Sequence, residues 1–219
     1  MVDIVVASVV LLVASPILVL VALIIRLTSR CPVLFRTWRA GLCGQPFLLL
    51  KYRTMYCSVE PQSRITAHND PRITRFGALL RRTKLDELPQ LVNVLRGDMA
   101  LVGPRPEDLS IVRDHYEAWM MESLMVRPGL TSPGTLLAMH LGDKIISDTS
   151  PEQDYLEQLL PVKVALDILY VRSKCLKGDV SICLDTASAI FRSIRRKPIP
   201  LPGRYEEAKE FMLAQRRPR

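Results

Sequence analysis

Two adjacent carboxylates, Asp86 and Glu87, stand inside the run Arg81-Arg82-Thr83-Lys84-Leu85-Asp86-Glu87-Leu88-Pro89-Gln90-Leu91, where every other charge is a cation. Carboxylates act as nucleophiles in group transfer and as hard oxygen ligands, and cations beside them neutralise phosphate, so the set suits chemistry on a phosphate. A second signal is Gly103-Pro104-Arg105-Pro106. Its flanking prolines hold Arg105 extended, which presents the guanidinium fork to an oxyanion with little backbone freedom left to lose. Lys51-Tyr52-Arg53 adds cations at the end of an apolar run. Taken singly, each has a plainer reading as a solvated helix cap, a stiffened turn or a strand end.

The elements that must position these groups follow from pattern. Pro89 is tolerated in a first helical turn, so a helix is expected to begin there, with Leu88, Leu91, Val92 and Leu95 on its apolar face and Gly97 at its end. Thr83 and Asp86 then form a capping pair, and the carboxylates crown a helix terminus whose dipole keeps Asp86 ionised and helps hold a phosphate. Pro32 to Arg36, Gly41 to Pro46 and Phe47 to Met55 read as strand, turn, strand. Ser58 to Asn69 is an unpatterned polar loop. Asp70-Pro71 signals a helix with a stripe of Ile73, Phe76, Leu79 and Leu80 among arginines, suited to an anionic membrane surface. Asp98 to Val102 is strand-like, and Arg127-Pro128-Gly129 is a rigid turn carrying another cation. Residues 152–174 and 179–196 are amphipathic helices that pack the core. From Lys197 a Pro-rich linker leads to a charged tail, either a short helix or disordered.

The N-terminus is different in kind. Ile4 to Ile25 carries no charge and has about the ~20 apolar residues that cross a bilayer. Its flanks argue against a signal peptide, since Asp3 precedes the run and the arginines follow it. Ser15-Pro16 near the middle is expected to bend the helix into two arms, each of roughly 18 Å at 1.5 Å per residue, too short for a core of about 30 Å. A re-entrant hairpin and a kinked spanning helix both satisfy these residues.

The chain has 219 residues and a net charge of +8, with a pI near 9.5, enough for one globular core and a demand for an anionic partner. No aromatic residues interleave with the cations to stack bases, which argues against nucleic acid. Cys31, Cys43, Cys57, Cys175 and Cys183 form no closely spaced pair, and a reduced, cytosol-facing domain is expected. His68, His115 and His140 are dispersed without metal-ligand spacing.

Together, Ser15-Pro16, Pro32-Val33-Leu34-Phe35-Arg36, Lys51 to Met55, Asp70 to Gly77, Leu85 to Gln90, Gly97-Asp98-Met99, Leu101 to Pro106 and Val126 to Gly129 resemble the bacterial sugar transferases, or monotopic polyprenyl-phosphate phosphoglycosyl transferases. The resemblance covers most of the chain. It implies an α+β fold, mainly helical with a small β-hairpin or sheet, on a monotopic membrane protein. It implies a re-entrant helix-break-helix over residues 1–30 with its break at Ser15 and Pro16, a catalytic domain over 31–196 and a basic tail over 197–219. It places the protein on the cytosolic face of the bacterial inner membrane, against its lipids, as the minimal catalytic form, and a homodimer is compatible with it. By the same resemblance Asp86 attacks a UDP-sugar, releases UMP and passes the sugar phosphate to polyprenyl (undecaprenyl) phosphate, initiating exopolysaccharide or lipopolysaccharide. Glu87 then binds Mg2+ with Asp86 or activates the acceptor, and Arg81, Arg105 and Lys51 bind phosphate. The Thr131-Ser132-Pro133-Gly134-Thr135 stretch departs from the Gly-Trp type sequence of many relatives. The rival reading is a non-catalytic, membrane-anchored basic scaffold for anionic lipid or nucleic acid.

Overall fold

The computed structural model describes residues 2–57, 65–66 and 70–216. Helix α1 (Val2–Thr28) leads into an antiparallel hairpin of β1 (Leu34–Ala40) and β2 (Pro46–Tyr52), then α2 (Arg75–Thr83) and α3 (Gln90–Arg96). Strand β3 (Ala100–Val102), α4 (Leu109–His115) and β4 (Gly129–Thr131) follow. The remainder is helical: α5 (Pro133–Ile145), α6 (Pro151–Asp154), a π-turn at Tyr155–Leu159, α7 (Leu160–Arg172), α8 (Leu176–Ile194) and α9 (Tyr205–Gln215). The expected mainly helical chain with small sheets is what forms. The hairpin register pairs Leu34 with Tyr52 and Trp38 with Leu48, and β3 lies parallel to β4 through Ala100–Gly129 and Val102–Thr131.

Helix α1 is one uninterrupted helix through Pro16, where a break was expected. Pro16 deprives the Leu12 carbonyl of its helical donor, and the Ser15 hydroxyl donates to that carbonyl at 2.8 Å instead. The helix is long and apolar enough to cross a membrane, yet both of its arms touch the globular body. Ala7 and Leu11 pack with Phe47, Leu49, Leu91 and Val94, while Leu18, Val21 and Ile25 pack with Tyr52 and Leu80. The Tyr52 hydroxyl also donates to the Leu18 carbonyl at 2.8 Å. Burying Leu80 there contributes roughly 1.5–3 kcal/mol, and α2 turns Phe76 and Leu80 into this cluster while leaving Leu79 exposed.

Several local expectations change. The Asp70-Pro71 helix start is a turn, because the Asp70 carboxylate accepts from the Arg72 amide and guanidinium; α2 begins after Thr74, whose hydroxyl accepts from Gly77 N at 2.8 Å. The hairpin brings Cys31 and Cys57, 26 residues apart, into a disulfide, correcting the expectation of an all-thiol chain. The loop expected over 58–69 lies outside the described residues except for Ile65 and Thr66, and His68 lies outside them too. His140 Nδ1 contacts the Ile199 carbonyl, a structural role. Of the two readings of the C-terminal stretch, a helix forms: α9 buries Ala208 and sets Phe211 and Met212 on the main core of α4, α5 and α7.

Candidate active site

The carboxylates do not crown a helix. Lys84 adopts a left-handed conformation (φ 57°) that ends α2, and Leu85–Glu87 form a single 3-10 turn before the seven-residue α3. Thr83 does not cap this turn; its hydroxyl donates back to the Leu79 carbonyl at 2.9 Å. Pro89, having no N–H, keeps the turn from merging with α3. The result is that Asp86 and Glu87 are both buried, at 4% and 7% exposure.

Their surroundings separate them. Glu87 is gripped by Arg105, Nη2 to Oε1 at 2.6 Å and Nη1 to Oε2 at 3.4 Å, and Lys84 Nζ stands 3.5 Å from Oε1. Burial alone would raise the Glu87 carboxyl, but Arg105 and Lys84 outweigh it and hold it far below the usual carboxylate range. Asp86 is raised, first by burial and then by the negative charge of Glu87, against the opposing pull of Lys84, Lys51 and Arg81. That reverses the expectation that a helix terminus would favour its ionised form. Asp86 Oδ1 is buried with no hydrogen-bond partner.

Lys51, Arg81 and Arg105 converge on this pair. Lys51 leaves β2 on the face opposite Tyr52, so one strand end serves both the site and α1. Burial lowers the Lys51 ammonium to about 8, with Glu87 and Asp86 resisting. Arg81, in the last turn of α2, donates through Nε to the Thr54 hydroxyl at 2.9 Å and feels the Asp86 charge. Gly77 makes that bond reachable, since a Cβ there would lie 2.0 Å from the Thr54 carbonyl. Arg105 is held from behind by Asp167, whose carboxylate accepts from Arg105 N at 3.4 Å and Gly134 N at 2.9 Å. Arg127 is exposed and takes no part in these contacts.

Residues without a sequence signal complete the site. Asn93, fully buried, accepts from Leu50 N at 3.1 Å and donates to the Leu48 carbonyl at 2.8 Å, bolting β2 to α3 beside Lys51. Glu107 accepts from Tyr155 at 2.6 Å and pairs with Lys163 beneath the Arg105 loop. Only the run Lys51 to Thr54 gave a hint of Thr54, and Lys84 was visible only as one more cation. A cleft of about 210 Å3 opens beside Lys51 and Arg105, bounded also by Arg39, Gln90, Glu107 and Lys163. Arg39 Nε faces burial without a partner.

The donor set can be tested against Mg2+. Among the described residues no group of three or more His, Cys, Asp or Glu side chains gathers into a metal cage. Mg2+ commonly binds through one or two carboxylates, taking its other ligands from phosphates and water, and the open Asp86 Oδ1 fits that pattern. Glu87 fits it less well, because Arg105 already holds both of its oxygens.

A family profile described as bacterial sugar transferase matches residues 1–193. The chain is 38% identical over 192 residues to the UDP-glucose:undecaprenyl-phosphate glucose-1-phosphate transferase of Caulobacter vibrioides, covering 86% of this chain and 67% of that protein. It is 38% identical over 186 residues to the protein of the same name in Escherichia coli, but covers only 37% of that longer protein. The exopolysaccharide production protein ExoY of Rhizobium meliloti is 34% identical over 207 residues, with 86% of this chain and 83% of ExoY covered. The sequence resemblance is thereby borne out, and the chain belongs to the bacterial sugar transferase family.

Proposed function

We propose that the protein transfers a sugar 1-phosphate from a UDP-sugar to polyprenyl phosphate, releasing UMP, by way of a covalent intermediate on Asp86. The observation that carries the reading is the open, buried Oδ1 of Asp86 lying among Lys51, Lys84 and Arg81 while Glu87 is fully engaged. A buried polar atom without a partner is rare in a folded protein and points to a ligand or a reacting group. The scaffold reading gives that atom no purpose.

In the first step a carboxylate oxygen of Asp86 bonds to the β-phosphorus, the bond from that phosphorus to the bridging oxygen breaks, and UMP leaves with the electron pair. In the second, an oxygen of polyprenyl phosphate bonds to the same phosphorus and the aspartyl oxygen leaves as carboxylate. Lys51 and Arg81 offset the charge of the transferring group, and the cleft beside Lys51 and Arg105 receives the nucleotide. When bound, Mg2+ would be held by Asp86 with substrate phosphates and would screen the diphosphate charge. The relatives' names support the substrate classes, UDP-sugar and undecaprenyl phosphate.

The site belongs on the cytosolic face of the bacterial inner membrane, with α1 re-entrant. Supporting this, Ala7 and Ile25 lie about 27 Å apart along the helix at 1.5 Å per residue, and both pack against the same globular body. A spanning helix anchored to that body at one end would carry its other end across the bilayer. The Ser15 hydroxyl on the Leu12 carbonyl lets the helix flex at Pro16 without an orphaned acceptor. A cysteine at position 3 should react with an impermeant thiol reagent only from the cytosolic side; reaction only from the periplasm would end the re-entrant reading. For the chemistry, purified protein with UDP-sugar, polyprenyl phosphate and Mg2+ should release UMP, and Asp86→Asn should abolish it. An Asp86→Asn variant with full turnover would sink the proposal.

A further inference from the structure

A second groove, of about 240 Å3, shares no lining residue with the nucleotide cleft, and its walls are almost wholly apolar: Leu88, Leu101, Leu130, Met139, Ala187 and Ile190. Three threonines also line it, yet their hydroxyls are engaged, Thr131 with Thr186 at 2.6 Å and Thr135 with Ser132 at 3.0 Å. The groove therefore asks nothing polar of an occupant along its length. At one end stand Lys84 and Glu87.

Its borders face the membrane elements. Leu88, Leu101 and Leu130 also pack on the cluster that holds Ala7 and Leu11 of α1. The opposite wall is α8, which exposes Leu176, Val180, Leu184 and Ile194 as an apolar stripe, with Phe191 on the same face under the Arg195 guanidinium at 4.2 Å. α1 and α8 both lie against β3, α1 through Ala7 and Leu11, which pack with Leu101. The groove thus joins the exposed apolar residues of α8 and the cluster beneath α1 to Lys84 and Glu87.

We propose that this groove holds the phosphate-proximal isoprene units of polyprenyl phosphate, with the acceptor phosphate at Lys84 and the rest of the chain in the bilayer between α1 and α8. The inference rests on the proposed reaction and deepens it by giving the acceptor its own channel. The two substrates then reach Asp86 by separate routes, the soluble donor through the cleft of Arg39, Lys51 and Arg105 and the lipid through the groove. Charge complementarity selects this occupant: a long apolar chain with one anionic end matches a dry groove lined by the Lys84 ammonium, because the Glu87 carboxylate beside it is already neutralised by Arg105 at 2.6 Å.

Cys183, exposed on the groove wall, supplies a test independent of turnover. Full-length protein in micelles is alkylated with N-ethylmaleimide and mapped by mass spectrometry, with the exposed Cys43 and Cys175 as internal references. Polyprenyl phosphate should slow Cys183 labelling at least tenfold relative to these two. Absence of protection overturns the groove assignment. So does equal protection by phosphatidylglycerol, which would make it a general lipid contact, or protection that tracks protein concentration, which would make it a contact between copies. In turnover, Ala187→Trp should raise the KM for polyprenyl phosphate at least tenfold and leave that for the UDP-sugar unchanged, while Ala187→Ser behaves as wild type. Protection of Cys183 in a protein that releases no UMP would keep the lipid groove and discard the proposed reaction.

Discussion

Arg105 holds Glu87 with two guanidinium nitrogens, at 2.6 and 3.4 Å, and that grip divides labour between two carboxylates that look alike in sequence. The engaged partner is kept ionised and cannot easily approach a phosphorus. Its fixed charge is one of the forces that raise Asp86, so the carboxylate left open is also made more basic, which favours it as a nucleophile.

Glu87→Gln should therefore move the acid side of the pH profile. Asp86 has a raised affinity for protons, so activity that needs it ionised is lost as pH falls through a point above the ordinary aspartate range. Removing the Glu87 charge lowers Asp86, and the acid limb of kcat/KM for UMP release should shift to lower pH. An unmoved limb would mean that Glu87 does not act on Asp86 through its charge.

Lys51 sets the alkaline side. Its ammonium is lowered to about 8, so a phosphate-binding charge present at neutral pH is lost as pH rises through that value. The profile of kcat/KM, which reports the free enzyme, should fall near pH 8, and Lys51→Arg should push the fall up by a unit or more because guanidinium does not titrate there. A profile that stays flat to pH 9.5 in the wild type would remove Lys51 from phosphate binding.

How much of this was legible follows from which contacts are local. The run from Arg81 to Leu91 showed the carboxylates and their cations, and the Gly41 to Pro46 turn between two apolar runs showed the hairpin. The 3-10 turn was not visible, because its cause is the left-handed Lys84, which no residue type announces. Asn93 bonding β2, Glu107 meeting Lys163 and Cys31 meeting Cys57 join segments 26 to 56 residues apart, which no window of sequence contains. The role assigned to Arg105 shifted for a similar reason: its rigidity was readable, but its partner Glu87 depends on how β3 follows α3.

Gly77→Ala tests whether the packing of α2 positions Arg81. The added Cβ would sit 2.0 Å from the Thr54 carbonyl, a backbone atom that can yield only by shifting α2 off β2. Overpacking of this kind costs about 1–3 kcal/mol. The Arg81–Thr54 bond should be lost with it, so the KM for UDP-sugar should rise well beyond that of Thr54→Ala, which deletes the hydroxyl alone. Equal effects of the two variants would show that the helix position does not matter to Arg81.

The Glu107–Lys163 pair beneath the Arg105 loop is buried on both sides, and Tyr155 donates to the same carboxylate. Burial would raise Glu107, but Lys163 and Tyr155 bring it below the usual range, so its stabilisation is present above the unfolded carboxylate pKa and lost as pH falls through the folded one. Glu107→Gln leaves Lys163 buried without its counter-charge, at a cost of roughly 3–5 kcal/mol. Lys163→Met in the same chain removes the stranded ammonium, so the double variant should recover a large part of the loss in denaturant titrations in micelles. Because the Glu107 carbonyl also accepts from Ala40 N at 2.9 Å, the single variant should loosen Arg105 and β1 together and lower kcat/KM even where the protein remains folded. A single variant as stable and as active as wild type would show that the pair neither supports the fold nor steadies the loop that carries Arg105.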